Sequence, residues 1–225
     1  MDMKYRVIRS DRRTISLSIS DAGEVVIRAP FHCPDAYIES FAREKWGWVE
    51  KHMPAVQACL ADRAAFTLRP GMTLPVLGQE RPVEASPDGK AAWKEGTWLV
   101  PDLPFEELKP QIISLCRKLG AAWLPSRVQM RAREMGVTYG RITVNHASRR
   151  WASCSASGNL QFSWRLIMAP PEAIDYVIVH ELAHRRYFDH SPEFWALVSC
   201  YCPDWKAQKE QLNQLHQRLL HENWV

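Results

Sequence analysis

No apolar run in the sequence approaches the roughly 20 residues that a helix needs to span a bilayer, so no membrane association is expected. The opening stretch, MDMKYRVIRSDRR, lacks the apolar core of a signal peptide, and the expected setting is the cytoplasm. Cysteine is sparse. Cys33, Cys59, Cys116, Cys154, Cys200 and Cys202 are too scattered among 225 residues for a disulfide framework, and reduced thiols are expected. Cys200-Tyr201-Cys202 is a C-x-C pair, a pattern that does not by itself make a metal site. Internal repeats, low-complexity runs and coiled-coil heptads are all missing. So are a glycine-rich phosphate loop and a cluster of carboxylates for magnesium, which counts against a phosphohydrolase.

What is present is ordinary in bulk. A chain of 225 residues, 46% hydrophobic and 24% charged, suits one substantial domain or two small ones. The ten tryptophans read as large packing residues. The net charge of +4 is unevenly spread. Between Ser126 and Met168 lie Arg127, Arg131, Arg133, Arg141, Arg149, Arg150 and Arg165, against the single acid Glu134. Such a basic region, Arg127–Arg165, could attract nucleic acid or a nucleotide, or be a solvated face balanced by acids elsewhere in the fold.

The first residues alternate as strands do, over 5–9, 14–19 and 24–28, with Asp21-Ala22-Gly23 as a hairpin turn. A helix is expected from Asp35 to about His52, burying Tyr37, Ile38, Phe41, Trp46 and Val49. Two or three more strands fit between Phe66 and Pro101. A long helical stretch from about Phe105 to Met135 contains Pro125 and is ended by Gly136. Short strands over 141–145, 150–154 and 159–163 lead to Pro170-Pro171, which starts the next helix. Further helices are expected over 192–201 and 204–220, the last with Trp205, Leu212, Leu215 and Leu219 inward. The fold class is α+β: an amino-terminal unit over 1–103 and a second domain over 104–225.

The second domain holds the chemistry. His180-Glu181-Leu182-Ala183-His184 is the H-E-x-x-H pattern, and His190 follows. Residues four apart share one face of a helix, so His180 and His184 can aim their rings at one ion. Glu181, about 100° further round, sits where a general base for water on that ion is needed. A catalytic zinc keeps three protein ligands and an open position, and His190 is the natural third ligand. A continuous helix would rotate His190 about 600° from His184, so the helix should end near Phe188-Asp189. Ser191-Pro192 should then start another. The metzincin motif shares this spacing, but its glycine position holds Tyr187 and no Met-turn follows, so that reading is rejected. An extended substrate could add to a sheet edge near the metal, supplied by 150–154 or 159–163.

The stretches Arg150-Trp151-Ala152-Ser153-Cys154-Ser155, Trp164-Arg165-Leu166, Asp175 to His184, and His190-Ser191 with Phe194-Trp195 resemble the YgjP-like (DUF45) family of predicted zinc metallopeptidases. That family is related to the SprT and WLM groups of minimal zincins. It usually has glycine at Ala152 and asparagine at Ser163. The resemblance implies a minimal zincin-like catalytic domain, Zn2+ on His180, His184 and His190, Glu181 as catalytic base, and a peptide or protein substrate. Arg150, Arg165, Tyr187 and Trp151 are candidates for a donor to the oxyanion. The competing readings are a nucleotide phosphohydrolase and a nucleic-acid-associated, SprT-like zinc protein.

Overall fold

The computed structural model describes residues 3–147 and 150–225. Two compact units divide the chain, one of residues 1–66 with 220–223, the other of 67–219 with 224–225. Among the described residues no helix is long and apolar enough to cross a membrane.

In the first unit, β1 (Arg6–Ser10), β2 (Ser16–Ile19) and β3 (Val25–Pro30) form a sheet in the order β1-β3-β2. β2 and β3 are antiparallel across the expected turn, where Gly23 takes φ 78°. Helix α1 (Asp35–Ala65) packs Ile38 and Ala42 on Ile27 and Ala29 of β3. It differs from expectation in two ways. It runs past His52 and through Pro54, because the following stretch is rich in alanine, the strongest helix former. Its buried residues are Ile38, Ala42 and Val49, while Tyr37, one position out of phase, is 56% exposed.

The second unit holds more sheet than expected. β4 (Thr73–Val76), β5 (Gln79–Ala85), β6 (Ala92–Lys94) and β7 (Thr97–Val100) make a four-stranded sheet in the order β4-β5-β7-β6. These strands, read from the sequence with the amino-terminal part, group with the second unit. The β4–β5 hairpin shows why. Its two central residues, Leu77 and Gly78, take φ 50° and 72°, as the tight hairpin turn requires. Their N–H groups donate to Ile167 O (2.7 Å) and Met168 O (3.3 Å), in the short 3-10 helix Trp164–Met168 that leads to the site. A Cβ on Gly78 would also lie 2.8 Å from Pro170 Cα. Gly78→Ala is therefore expected to cost roughly 2–3 kcal/mol, from the positive φ and the backbone clash together. A thermal melt lowered by about 5–10 °C would show it; an unchanged melt would refute this account of the docking.

α2 (Phe105–Met135) carries Pro125 as expected and also Pro110, and Gly136 caps it at φ 61°. β8 (Ile142–Asn145), β9 (Ala152–Cys154) and β10 (Leu160–Ser163) form a sheet in the order β8-β10-β9. α3 (Pro171–Ala183), α4 (Pro192–Tyr201) and α5 (Trp205–His221) follow. The main core joins Leu124, Val128 and Ala132 of α2 to Leu160 and Phe162 of β10, the buried face of α3, and Phe194 and Val198 of α4. The class is α+β, as expected.

Candidate metal centre

α3 is apolar on nearly every face, with Ala173 to Val179 buried, so it runs through the core and delivers its carboxyl end to one spot. Pro171 starts it, a position where the missing N–H costs nothing. The helix stops at Ala183, with His184 as its cap, five residues before the expected break. Arg185 N–H donates to Leu182 O and Arg186 N–H to Ala183 O (both 3.0 Å), each three residues back, so the last turn tightens to 3-10 spacing as the helix ends. Residues 185–189 then bring His190 back before α4, where Ser191 Oγ accepts from Phe194 N–H (3.4 Å).

The three predicted histidines meet. Their ring centroids are 5.1, 5.0 and 5.0 Å apart, a near-equilateral triangle. Phe194, fully buried, lies beneath it at 4.9, 4.7 and 4.8 Å from His180, His184 and His190. Trp195 stacks on His190 and on Trp205. One nitrogen from each histidine lies within 4.8 Å of the others, and His180 Nε2 and His190 Nε2 are 3.1 Å apart. Nitrogens bound tetrahedrally at about 2.0–2.1 Å sit about 3.3 Å apart, so the donor set fits such an ion.

Protonation favours the same end. Burial, then the neighbouring His184, His190 and Lys209, push His180 down to about 3, and burial lowers His184. Both rings are neutral at pH 7 and keep a lone pair. His184 Nδ1–H donates to Tyr187 O (3.0 Å), which leaves Nε2 as the free nitrogen. His180 Nδ1 is buried without a partner, so its ring is held by packing.

Glu181 is 7% exposed beside His180. Burial raises its carboxyl to about 7, against a backbone hydrogen bond from Cys154 and the charge of Arg150. A cation on the histidines would draw that value down. Cys154 belongs to β9, whose sole strand partner among the described residues is β10. Ser163 N–H donates to Trp151 O and Ser155 N–H to Asn159 O, so odd-numbered residues of this segment face β10. Ala152 and Cys154 therefore turn their backbone groups to the open edge, next to Glu181. Of the two strands expected as candidates, β10 is interior and only β9 offers an edge.

The four candidate oxyanion donors separate. Arg165 is 2% exposed and, among the described residues, donates to the neutral acceptors Ser163 Oγ, His216 Nδ1, Ala147 O and Arg150 O. Burial holds its pKa down at about 10, and its guanidinium lies 4.8 Å from the Trp151 ring. It braces the wall of the site. Tyr187 takes part through its carbonyl. Trp151 lines the cavity beside Glu181, and Arg150 is exposed across β9 from it. The basic region is partly spent within the fold: Arg127 and Arg131 both bind Asp175, while Arg133, Arg141 and Arg150 remain exposed. Arg149 lies outside the described residues. Cys200 is exposed and Cys202 buried, its thiol donating to Asp204 Oδ1 (3.5 Å).

Sequence reasoning missed the contribution of α5. Lys209, Leu212 and Asn213 line the cavity that reaches His180 and Glu181. Their i, i+3, i+4 spacing, continued by His216, marked one helix face. Of that face only Leu212 belongs to the apolar stripe read for α5, so Lys209 and Asn213 were overlooked.

No match is found among curated proteins. Among solved structures, similarity extends to the metallopeptidase zymogen of Pyrococcus abyssi abylysin, at 21% identity and TM-score 0.37, over 44% of this chain and 97% of that one. The metallopeptidase zymogen of Methanocaldococcus jannaschii jannalysin is similar at 19% identity and TM-score 0.36, over 42% of this chain and 94% of that one. The sequence itself matches the YgjP-like metallopeptidase domain over residues 13–215, nearly its whole length, and the chain belongs to that family.

Proposed function

We propose that the chain is a zinc-dependent peptidase in which His180, His184 and His190 hold the ion and Glu181 is the general base. The observation that carries this reading is the histidine triangle, with nitrogens spaced for one tetrahedral ion and a buried carboxylate alongside. Family membership implies a divalent metal and supports a peptide or protein substrate. All four residues fall within 104–225, the segment to which we assign the chemistry. Six free thiols support a reducing, cytoplasmic setting.

Zinc at this site would supply Lewis acidity, activating a water and polarising a carbonyl. Glu181 accepts the proton of the attacking water and returns it to the leaving amine. The Cys154 N–H holds that carboxylate in place. The open edge of β9 pairs with an extended substrate through Ala152, which sets the scissile bond across Glu181. Arg150 and Trp151 are the two candidate donors placed to meet charge developing on the carbonyl oxygen.

Zinc per chain, measured on the wild type and on His190→Ala prepared identically, tests the ligand set. About one zinc is expected in the wild type, and a variant left with two ligands should lose most of it on dialysis. Hydrolysis of a casein-type substrate should stop with a chelator and return with zinc. Equal zinc in both proteins would remove His190 from the set, and hydrolysis indifferent to chelation would overturn the zinc-peptidase reading.

A further inference from the structure

The cavity beside Glu181 has about 220 Å³ of space. That is below the roughly 300–1,000 Å³ of sites that enclose a whole small molecule, and it suits one side chain of a longer ligand. Trp151, Val177 and Leu212 give it apolar walls, and Lys209 and Asn213 stand on the α5 side. Asn213 is engaged by Glu210 (3.3 Å), but among the described residues no acid pairs with Lys209. The Lys209 charge is near enough to bear on His180.

A second cavity, of about 230 Å³, lies on the other side of Ala152, lined by Asn145, Ala147, Arg150, Ser153 and Gln161. Arg150 is exposed there, its carbonyl taken by Arg165 and its guanidinium without an acidic partner among the described residues. Two cations without acidic partners thus flank β9 and Glu181. Glu181 is the one carboxylate among the described residues lining the two cavities, and it faces two positive charges before any metal adds more. Such a cleft attracts anions and disfavours basic ligands.

We infer that the cavity between Trp151 and Leu212 seats an acidic side chain of the substrate, its methylenes against the apolar walls and its carboxylate on Lys209, which makes Lys209 a specificity-determining residue. The inference rests on the peptidase reading for its substrate class and goes beyond it in naming acidic peptides. Arg150, across β9, favours a second acidic residue on the other side of the scissile bond.

The test is a binding measurement, so that it does not depend on turnover. Zinc-loaded Glu181→Gln protein is titrated against dye-labelled, end-blocked alanine peptides with one variable residue, Glu, Gln, Lys or Leu, followed by anisotropy. The alanine scaffold lets each peptide slide until its one distinctive side chain reaches the cavity. The Glu peptide should bind about tenfold tighter than the Gln peptide, as a partly screened charge-assisted contact would give. Adding Lys209→Met should abolish that difference, and Lys209→Glu should turn the preference to the Lys peptide. Lys209 is exposed, so both variants should fold, which circular dichroism checks. A Gln peptide with a free carboxyl terminus separates the sources of the carboxylate: if it matches the Glu peptide, the cavity reads chain ends and the side-chain assignment is overturned. Equal binding of Glu and Gln peptides, tightest binding of Leu, no binding at all, or a preference untouched at Lys209 would each overturn it too. Carboxylate-selective binding that depends on Lys209, in a protein whose wild type cleaves no peptide, would sink the peptidase reading and leave the cavity as a site for acidic peptides.

Discussion

Glu181→Gln should hold as much zinc as the wild type and lose hydrolysis by about 10²–10⁴-fold, the usual contribution of a positioned general base. The change is nearly isosteric, so the buried site keeps its packing, and the amide oxygen can still accept from Cys154 N–H. What disappears is the ability to take a proton. Zinc content should not follow, because the three nitrogens belong to other residues. Glu181→Asp gives a second reading of the same geometry. It keeps the carboxylate but withdraws it by one methylene, and a displacement of about 1 Å can by itself cost on the order of a hundredfold. Hydrolysis within a few-fold of wild type in Glu181→Gln would remove the residue from the mechanism. Loss of zinc in that variant would instead make it a ligand or a support for one.

Much of this site was legible in the sequence because its signals are local. The i, i+4 spacing of His180 and His184, the proline start of α3, the Ser191-Pro192 start of α4 and the left-handed Gly136 all depend on a few neighbouring residues. The strands of the β8–β10 sheet fell within two residues of their expected bounds for the same reason. What escaped depends on packing. The need for a turn before His190 follows from helical rotation, but where α3 stops shows only in its last turn, where the Arg185 and Arg186 N–H groups donate three residues back. α1 runs past its expected end at about His52 and through Pro54, because Ala55 to Ala65 continue the helix. Arg165, one of four candidate oxyanion donors, is a brace, since its guanidinium makes four hydrogen bonds to carbonyl, hydroxyl and imidazole acceptors, two of them from segments more than fifteen residues away. Lys209 lies outside the apolar stripe read for α5, and the tertiary fold brings it to the cavity beside His180.

Asp175→Ala should be among the most damaging single changes in the second unit, although the residue touches no part of the metal centre. Its carboxylate is 4% exposed and receives three charged donors: Arg127 Nε at 2.7 Å, an Arg127 terminal nitrogen at 2.6 Å and an Arg131 terminal nitrogen at 2.6 Å. Both arginines lie on α2, and Asp175 lies on α3, five residues before His180. The cluster therefore pins the helix of the metal site to the longest helix of its own unit. A buried pair gives little net stability over an apolar replacement, but removing one member strands the other. Here two guanidiniums would be stranded, with Arg131 keeping only Glu134 (2.9 Å) and already burying an unpartnered Nε. A loss of roughly 3 kcal/mol is expected, lowering the melting temperature by about 6–12 °C. Replacing Arg127, Arg131 and Asp175 together by apolar residues of similar size should recover most of it, which separates the stranded charge from simple loss of packing. If α3 is also held in register by this cluster, zinc should be released more readily from Asp175→Ala than from wild type well below the melt. A melt within about 1 °C of wild type, smaller than the shift expected from even 1 kcal/mol, would mean that the apolar face of α3 alone positions the histidines.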